Sequence, residues 1–324
     1  MNLFKPAKTF DWSLVLLVNF MWATQVPVIR LIGDKLNSST VAYVPLIIST
    51  TIFLPFLWRE NKKRGVKMRW RWSEIKYFML PGLIGIFLMQ YGYTVGARMT
   101  LAANAGIITL TIPVIVALLA SLLLKEQLNF VRITSFVLAI IGVIITSLPD
   151  LSAINFQESQ YFTGNLIFFL ACCCCGYYNT YCKVLVEKKF TELEILVYSS
   201  VIGSIASLPL LIWIEPFSLQ AFMQSGPVAQ LGILELSLIV YGVSMLLFFY
   251  VLKRMDVTQA ILGNYLLPFF IAILGFLLLK EKVTVIMITG GLLILMSTLM
   301  VTVYENKLVA LFQNMRKKKK NKPA

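Results

Sequence analysis

From Val228 to Val251 the chain is apolar except for one charge, the carboxylate of Glu235. A charge at the bilayer centre costs about 2.5–3.5 kcal/mol on insertion scales, so a carboxylate kept in such a run generally meets water, a ligand or a partner. Glu235 is therefore the leading candidate for binding a substrate ammonium or carrying a coupling proton. The plainer reading is a carboxylate hydrogen-bonded to a neighbouring helix or solvated from a shallow outer mouth, and both stay open.

Neutral polar residues extend the candidate site. Asn19, Trp22 and Gln25 stand at i, i+3 and i+6, broadly on one helical face, where they could orient a small polar solute. Interhelical hydrogen bonds of about 0.6–2 kcal/mol are the competing use of such amides. Gln90 with Thr94, and Asn104 with Thr111, repeat the pattern at i, i+4 and i, i+7. Tyr177, Tyr178, Asn179 and Tyr181 form the densest group of polar-tipped aromatics. Tyr177 and Asn179 suit a cavity for a flat or aromatic solute, whereas Tyr181 suits an interfacial belt beside the following charges. Asn264 lies four residues before Pro268, whose missing N–H frees a carbonyl for a solute or water.

Other chemistries find little support. Histidine is absent, which removes the commonest general base and metal ligand. Cys172 to Cys175 are adjacent, and successive helical residues turn by about 100°, so four thiols cannot converge on one tetrahedral ion. No metal or other cofactor is expected, and no catalytic residue. Glu187, Glu192 and Glu194 beside Lys188 form the one cytoplasmic acidic cluster, which a solvated loop explains. A lipid-modifying enzyme would need more than that.

The elements that must hold these residues are membrane helices. Hydrophobic residues make up 58% of the chain and charged ones 14%, against about 45–50% and 25% in soluble domains. Apolar runs long enough to cross a hydrocarbon core fall near residues 12–32, 40–58, 76–97, 102–124, 130–148, 162–184, 195–214, 228–251, 258–279 and 284–304, which makes ten spans. With both termini in the cytoplasm, 24 of the 29 Lys and Arg fall on that side, as the positive-inside rule requires. Arg30, Lys35, Arg98, Lys280 and Lys282 fall on the other, where those near span ends are read as snorkelling to the interface. The net charge of +14 sits in cytoplasmic loops and in the tail at 305–324, which fits anionic lipid rather than nucleic acid. The first run is long and lacks a small-residue cleavage site, so it reads as an uncleaved span.

The chain also repeats itself. Pro113 to Glu126 reads PVIVALLASLLLKE, and Pro268 to Glu281, 155 residues later, reads PFFIAILGFLLLKE. Trp22-Ala23 against Tyr177-Tyr178 and Asn104-Ala105 against Gln259-Ala260 align weakly at the same offset. Five spans per copy is an odd number, so the second copy must cross the bilayer in the opposite sense, and Lys125-Glu126 lies inside while Lys280-Glu281 lies outside. These terminal pairs suit topology or gating better than substrate contact. Inverted repeats place the transport path at their interface.

Ten spans in two halves, Met21-Trp22-Ala23 with Pro27 in span 1, and the Pro…LLLKE…Gly142-Val143 signature resemble a drug/metabolite transporter of the EamA type. The resemblance covers nearly the whole chain. It departs where Ser297 stands opposite Gly142 and where cysteines fill span 6. It implies an inner-membrane permease, often an exporter, for amino acids or other small metabolites, with a central cavity lined chiefly by spans 1, 3, 4, 6, 8 and 9. The expected molecule is an all-α integral membrane protein with five-helix repeats at 12–148 and 162–304 and a basic cytoplasmic tail at 305–324. Its partners are a small-molecule substrate and the bilayer, and a homo-oligomer is compatible. Transport by alternating access is the leading reading. A non-transporting receptor or assembly factor on the same scaffold is the alternative.

Overall fold

The computed structural model describes residues 9–66, 72–123, 129–146, 161–252 and 263–304, together with Lys307. Among them the secondary structure is helical and no strand occurs. The Lys125-Glu126 pair, Gln259-Ala260 and the basic tail apart from Lys307 lie outside the described residues. Among the described residues, six helices are long and apolar enough to cross a membrane, and three shorter apolar ones accompany them, at Phe130–Thr146, Asn264–Leu279 and Val285–Met300.

In chain order, α1 is Thr9–Ile32, α2 Ser38–Lys63, α3 Trp72–Leu80, α4 Met89–Met99, α5 Ala102–Thr109, α6 Ile112–Leu123, α7 Phe130–Thr146 and α8 Phe162–Glu187. Then come α9 Glu192–Pro209, α10 Leu219–Gln224, α11 Pro227–Glu235, α12 Ser244–Leu252, α13 Leu267–Leu279 and α14 Val285–Thr302. Local signals set several starts. Asn37 accepts a hydrogen bond from the Thr40 backbone N–H at 2.8 Å, and Thr191 with Glu194 closes a capping box that opens α9. The apolar run reads as ending near residue 58, but α2 continues through Trp58-Arg59-Glu60-Asn61-Lys62-Lys63, where good helix formers extend it into the polar region.

Irregular turns fall at matching places in the two halves. Pro81–Leu88, joining α3 to α4, is π-helical, and so is Leu236–Val243, joining α11 to α12, 155 residues later at both ends. Pro81 lacks the N–H that an α-turn needs, which favours the wider register. In the second stretch hydroxyls provide the loosening: Ser237 donates to the Ile233 carbonyl at 2.6 Å and Ser244 to the Val240 carbonyl. The expected continuous span 4 is interrupted at Leu110-Thr111, between α5 and α6, because Pro113 cannot donate back to Thr109. Its counterpart, Gly263–Leu266, is a 3-10 turn ahead of Pro268.

The largest buried cluster runs through α1, α5, α11 and α13, with Ala23, Ile29, Ile108, Ile233 and Ile271 at its centre. Helix α7 packs so closely on α14 that a Cβ at Gly142 would stand 2.5 Å from Ile294 Cγ1 and 2.9 Å from the Gly290 carbonyl oxygen. Without water to drive association between membrane helices, close approach at small residues supplies the attraction. Large apolar side chains such as Phe56, Trp58, Leu122, Trp213, Phe276 and Leu292 stay on the outside, where hydrocarbon can meet them.

Candidate functional site

A polar cluster joins three elements inside the helical body. On α1, Gln25 donates from Nε2 to the Tyr241 hydroxyl at 2.9 Å and faces Gln90 Oε1 at 3.4 Å. The Tyr241 hydroxyl donates in turn to Gln90 Oε1 at 3.0 Å. Tyr241 stands in the π-helical stretch after α11, and Gln90 opens α4. Thr24, next to Gln25, donates its hydroxyl to Glu235 Oε1 and also reaches the Met21 carbonyl oxygen at 2.6 Å. Glu235 Oε2 is buried with no hydrogen-bond partner. It is a buried carboxyl oxygen left open beside neutral side chains that bond one another.

The sequence candidates divide between this cluster and other contacts. Gln25 and Gln90 meet there through Tyr241, and Glu235 is bonded to Thr24, the residue next to Gln25. Asn19 turns back on its own helix, donating from Nδ2 to the Val15 carbonyl at 2.8 Å and leaving Oδ1 unpartnered. Trp22 packs at 60° to Phe248 of α12, with ring centroids 5.0 Å apart. Thr94 is fully buried with its hydroxyl unpartnered. Asn104 contacts Thr100, whose hydroxyl donates to Asn165, while Thr111 bonds the Ile108 carbonyl at 2.7 Å. Tyr177 stacks on Tyr181 with centroids 5.6 Å apart, and Asn179 is exposed, within 3.7 Å of Cys175 Sγ.

Asn264 lines a small cleft with Thr109, Leu110, Ile112, Pro113, Tyr265 and Leu267. Thr109, Leu110, Ile112 and Pro113 are matched, 155 residues on, by Asn264, Tyr265, Leu267 and Pro268. The two helix interruptions thus face each other across equivalent residues. Asn264 Oδ1 is buried there without a partner.

Thr24 and Tyr241 are the members of the polar cluster that sequence reasoning missed. Tyr241 follows Glu235 by six residues in the same apolar run and Thr24 adjoins Gln25, but neither neighbour relation says which helices will meet.

Charged residues at one end also differ from expectation. Arg30, read as snorkelling, pairs with Glu281 at 2.8 Å and donates to the Thr100 carbonyl. Glu281 Oε2 accepts from the Ala102 N–H at 2.8 Å, capping α5. Arg98, also read as snorkelling, donates to Ser38 Oγ at 2.7 Å and to the Gly33 carbonyl. Glu215 accepts from the Ser39 N–H at 2.7 Å and from the Tyr91 hydroxyl at 3.1 Å. Burial raises the Glu215 pKa, but the hydrogen bonds from Ser39 and Tyr91 and the Arg98 charge outweigh it and hold the carboxyl below its ordinary value. These side chains have nearer partners than the interface.

The family model of the EamA-like transporters matches residues 12–148 and again 162–303. This chain belongs to the EamA-like transporter family. It is a multi-pass integral membrane protein and a membrane transporter. An EamA relative from Streptantibioticus cattleyicolor, named as a probable terminal-alkyne amino-acid exporter, is 25% identical over 87% of this chain and 89% of its own length. Another, from Rickettsia felis, named as an S-adenosylmethionine uptake transporter, is 23% identical over 86% of this chain and 87% of its own length. A crystal structure superposes with a TM-score of 0.57 at 16% identity, covering 91% of this chain and 99% of the other, a likeness of fold.

Proposed function

We propose that this EamA transporter is a permease that moves small ammonium-bearing metabolites, such as amino acids or related compounds, by alternating access, with export the direction when the outward gradient favours it. Ten transmembrane helices form two inverted five-helix repeats, at 12–148 and 162–304, in a bacterial inner membrane. Both termini face the cytoplasm, where the tail at 305–324 meets anionic lipid.

The observation that carries the reading is the convergence of Gln25, Gln90 and Tyr241 beside the Thr24–Glu235 pair, drawn from three elements far apart in sequence. Such a cluster in an apolar body suits a ligand that replaces part of the network. Asn19, Trp22, Thr94, Asn104, Thr111, Tyr177, Asn179 and Asn264 line the remaining path as helices rearrange. The matched π stretches and helix interruptions support two near-equivalent states, since the halves share these two places to bend, although the π turn at Leu210–Ile214 has no counterpart at 55–59. The relatives named above are assigned cargo with an α-amino group, which Glu235 suits, while their opposite named directions leave net flow to the gradients.

Counterflow in proteoliposomes tests this. Uptake of labelled amino acid or amine should be accelerated by unlabelled solute inside and lost in Glu235→Gln. If Glu235 carries a coupling proton, wild-type flux also follows an imposed pH gradient. Normal proton-driven flux through Glu235→Gln would remove that role.

A further inference from the structure

The charge balance around Glu235 is one-sided. The described residues of α1, α4 and the Pro227–Leu252 segment contain two basic side chains, Arg30 and Arg98. Arg30 lies six residues beyond Thr24, about 9 Å along the helix axis, and is paired with Glu281 and the Thr100 carbonyl. Arg98 is held by Ser38 and Gly33. Glu235 itself is met by the Thr24 hydroxyl, and the neighbouring Gln25, Tyr241 and Gln90 side chains, bonded to one another, are all neutral. The Gln25 amide and the Tyr241 hydroxyl already direct their hydrogens at Tyr241 and Gln90. Glu235 Oε2 remains an acceptor without a donor.

From this inventory we infer that the site selects small organic monocations, namely amines or amino acids whose carboxyl is masked as an amide, over zwitterionic amino acids. This deepens the transport reading and rests on it. A bound monocation cancels the carboxylate and supplies the N–H donors that Oε2 lacks. A zwitterion brings the same ammonium together with a second anion, for which the described residues of these three elements offer no uncommitted basic side chain, so its desolvation is poorly compensated.

Matched probes separate charge from shape. Tyrosine against tyramine, and leucine against leucinamide, are titrated onto the full-length protein by thermal stabilisation and then compared in proteoliposome counterflow. Tyramine and leucinamide should act at concentrations at least tenfold below their parent amino acids. Glu235→Asp should keep that ratio, and Glu235→Gln should reduce it below about twofold. Equal or better action by the zwitterions, or a ratio unchanged in Glu235→Gln, overturns the monocation inference while leaving transport in place. Stabilisation by the monocations without counterflow upholds the charge inference and overturns the transport reading. No stabilisation and no flux with any probe overturns both.

Discussion

Pro81–Leu88 and Leu236–Val243 share a wide helical backbone and a place in the repeat, yet they are lined quite differently. In the first, glycines let neighbours in: a Cβ at Gly85 would stand 2.6 Å from the Tyr178 ring, and its counterpart 155 residues on is Val240. Leu80 before it is exposed on the outside, whereas its counterpart Glu235 is tied to Thr24. Ile86 is buried among apolar residues, whereas its counterpart Tyr241 joins the amide network. The two stretches share a backbone geometry, while the polar chemistry along them is confined to the second. Bending capacity and ligand recognition can therefore be altered separately.

Exchanging residues between counterparts tests that separation. Glu235→Leu, which installs the residue at its mate position, should lower counterflow at least about 100-fold, equivalent to about 2.7 kcal/mol. Its thermal unfolding should stay within a few degrees of the parent, because an orphan oxygen leaves with the charge. The reverse change, Leu80→Glu, sets a carboxylate against lipid and should cost up to about 3 kcal/mol in unfolding measurements without creating a second site. Gly85→Val, harmless by analogy with Val240, should instead destabilise by about 1–3 kcal/mol, because the Tyr178 ring fills the space. Tyr241→Phe removes one link of the network and should weaken binding by about 1 kcal/mol, read as a several-fold rise in the half-saturating concentration. Asn179→Ala, counterpart to Thr24→Ala but exposed, should change stability by less than about 0.5 kcal/mol and, as a path residue outside the Glu235 cluster, lower flux by only a few-fold. A large Asn179 effect would bring the two halves back toward functional equivalence.

The interruption of span 4 could be anticipated from Pro113, and that ahead of α13 from Pro268, because a missing N–H acts locally. Glu235 was equally visible, since one charge in an apolar run stands out. Its partner was not, because the rotation of α1 against α11 is decided by the packing of many apolar side chains. The Asn19, Trp22, Gln25 spacing illustrates the limit. At about 100° per residue these positions fan over roughly 120°, wide enough for three separate surroundings. Asn19 bonds its own helix, Trp22 meets an aromatic ring and Gln25 enters the network. The π stretch at Leu236–Val243 escaped notice because serine back-bonding, unlike proline, is compatible with an ordinary helix.

Helices α2 and α9 run antiparallel and are fastened at opposite ends. Near the start of α2, Ser39 and Asn37 hold Glu215 and the Pro216 carbonyl, the latter at 3.1 Å. At its close, Arg64 reaches Glu194 at 3.6 Å, and Glu194 is itself fixed in the cap of α9. Mechanically this pair is a double-pinned strut. Its members can slide by small amounts or tilt together, but opening one end like a scissor must break the pin there while the other becomes the pivot.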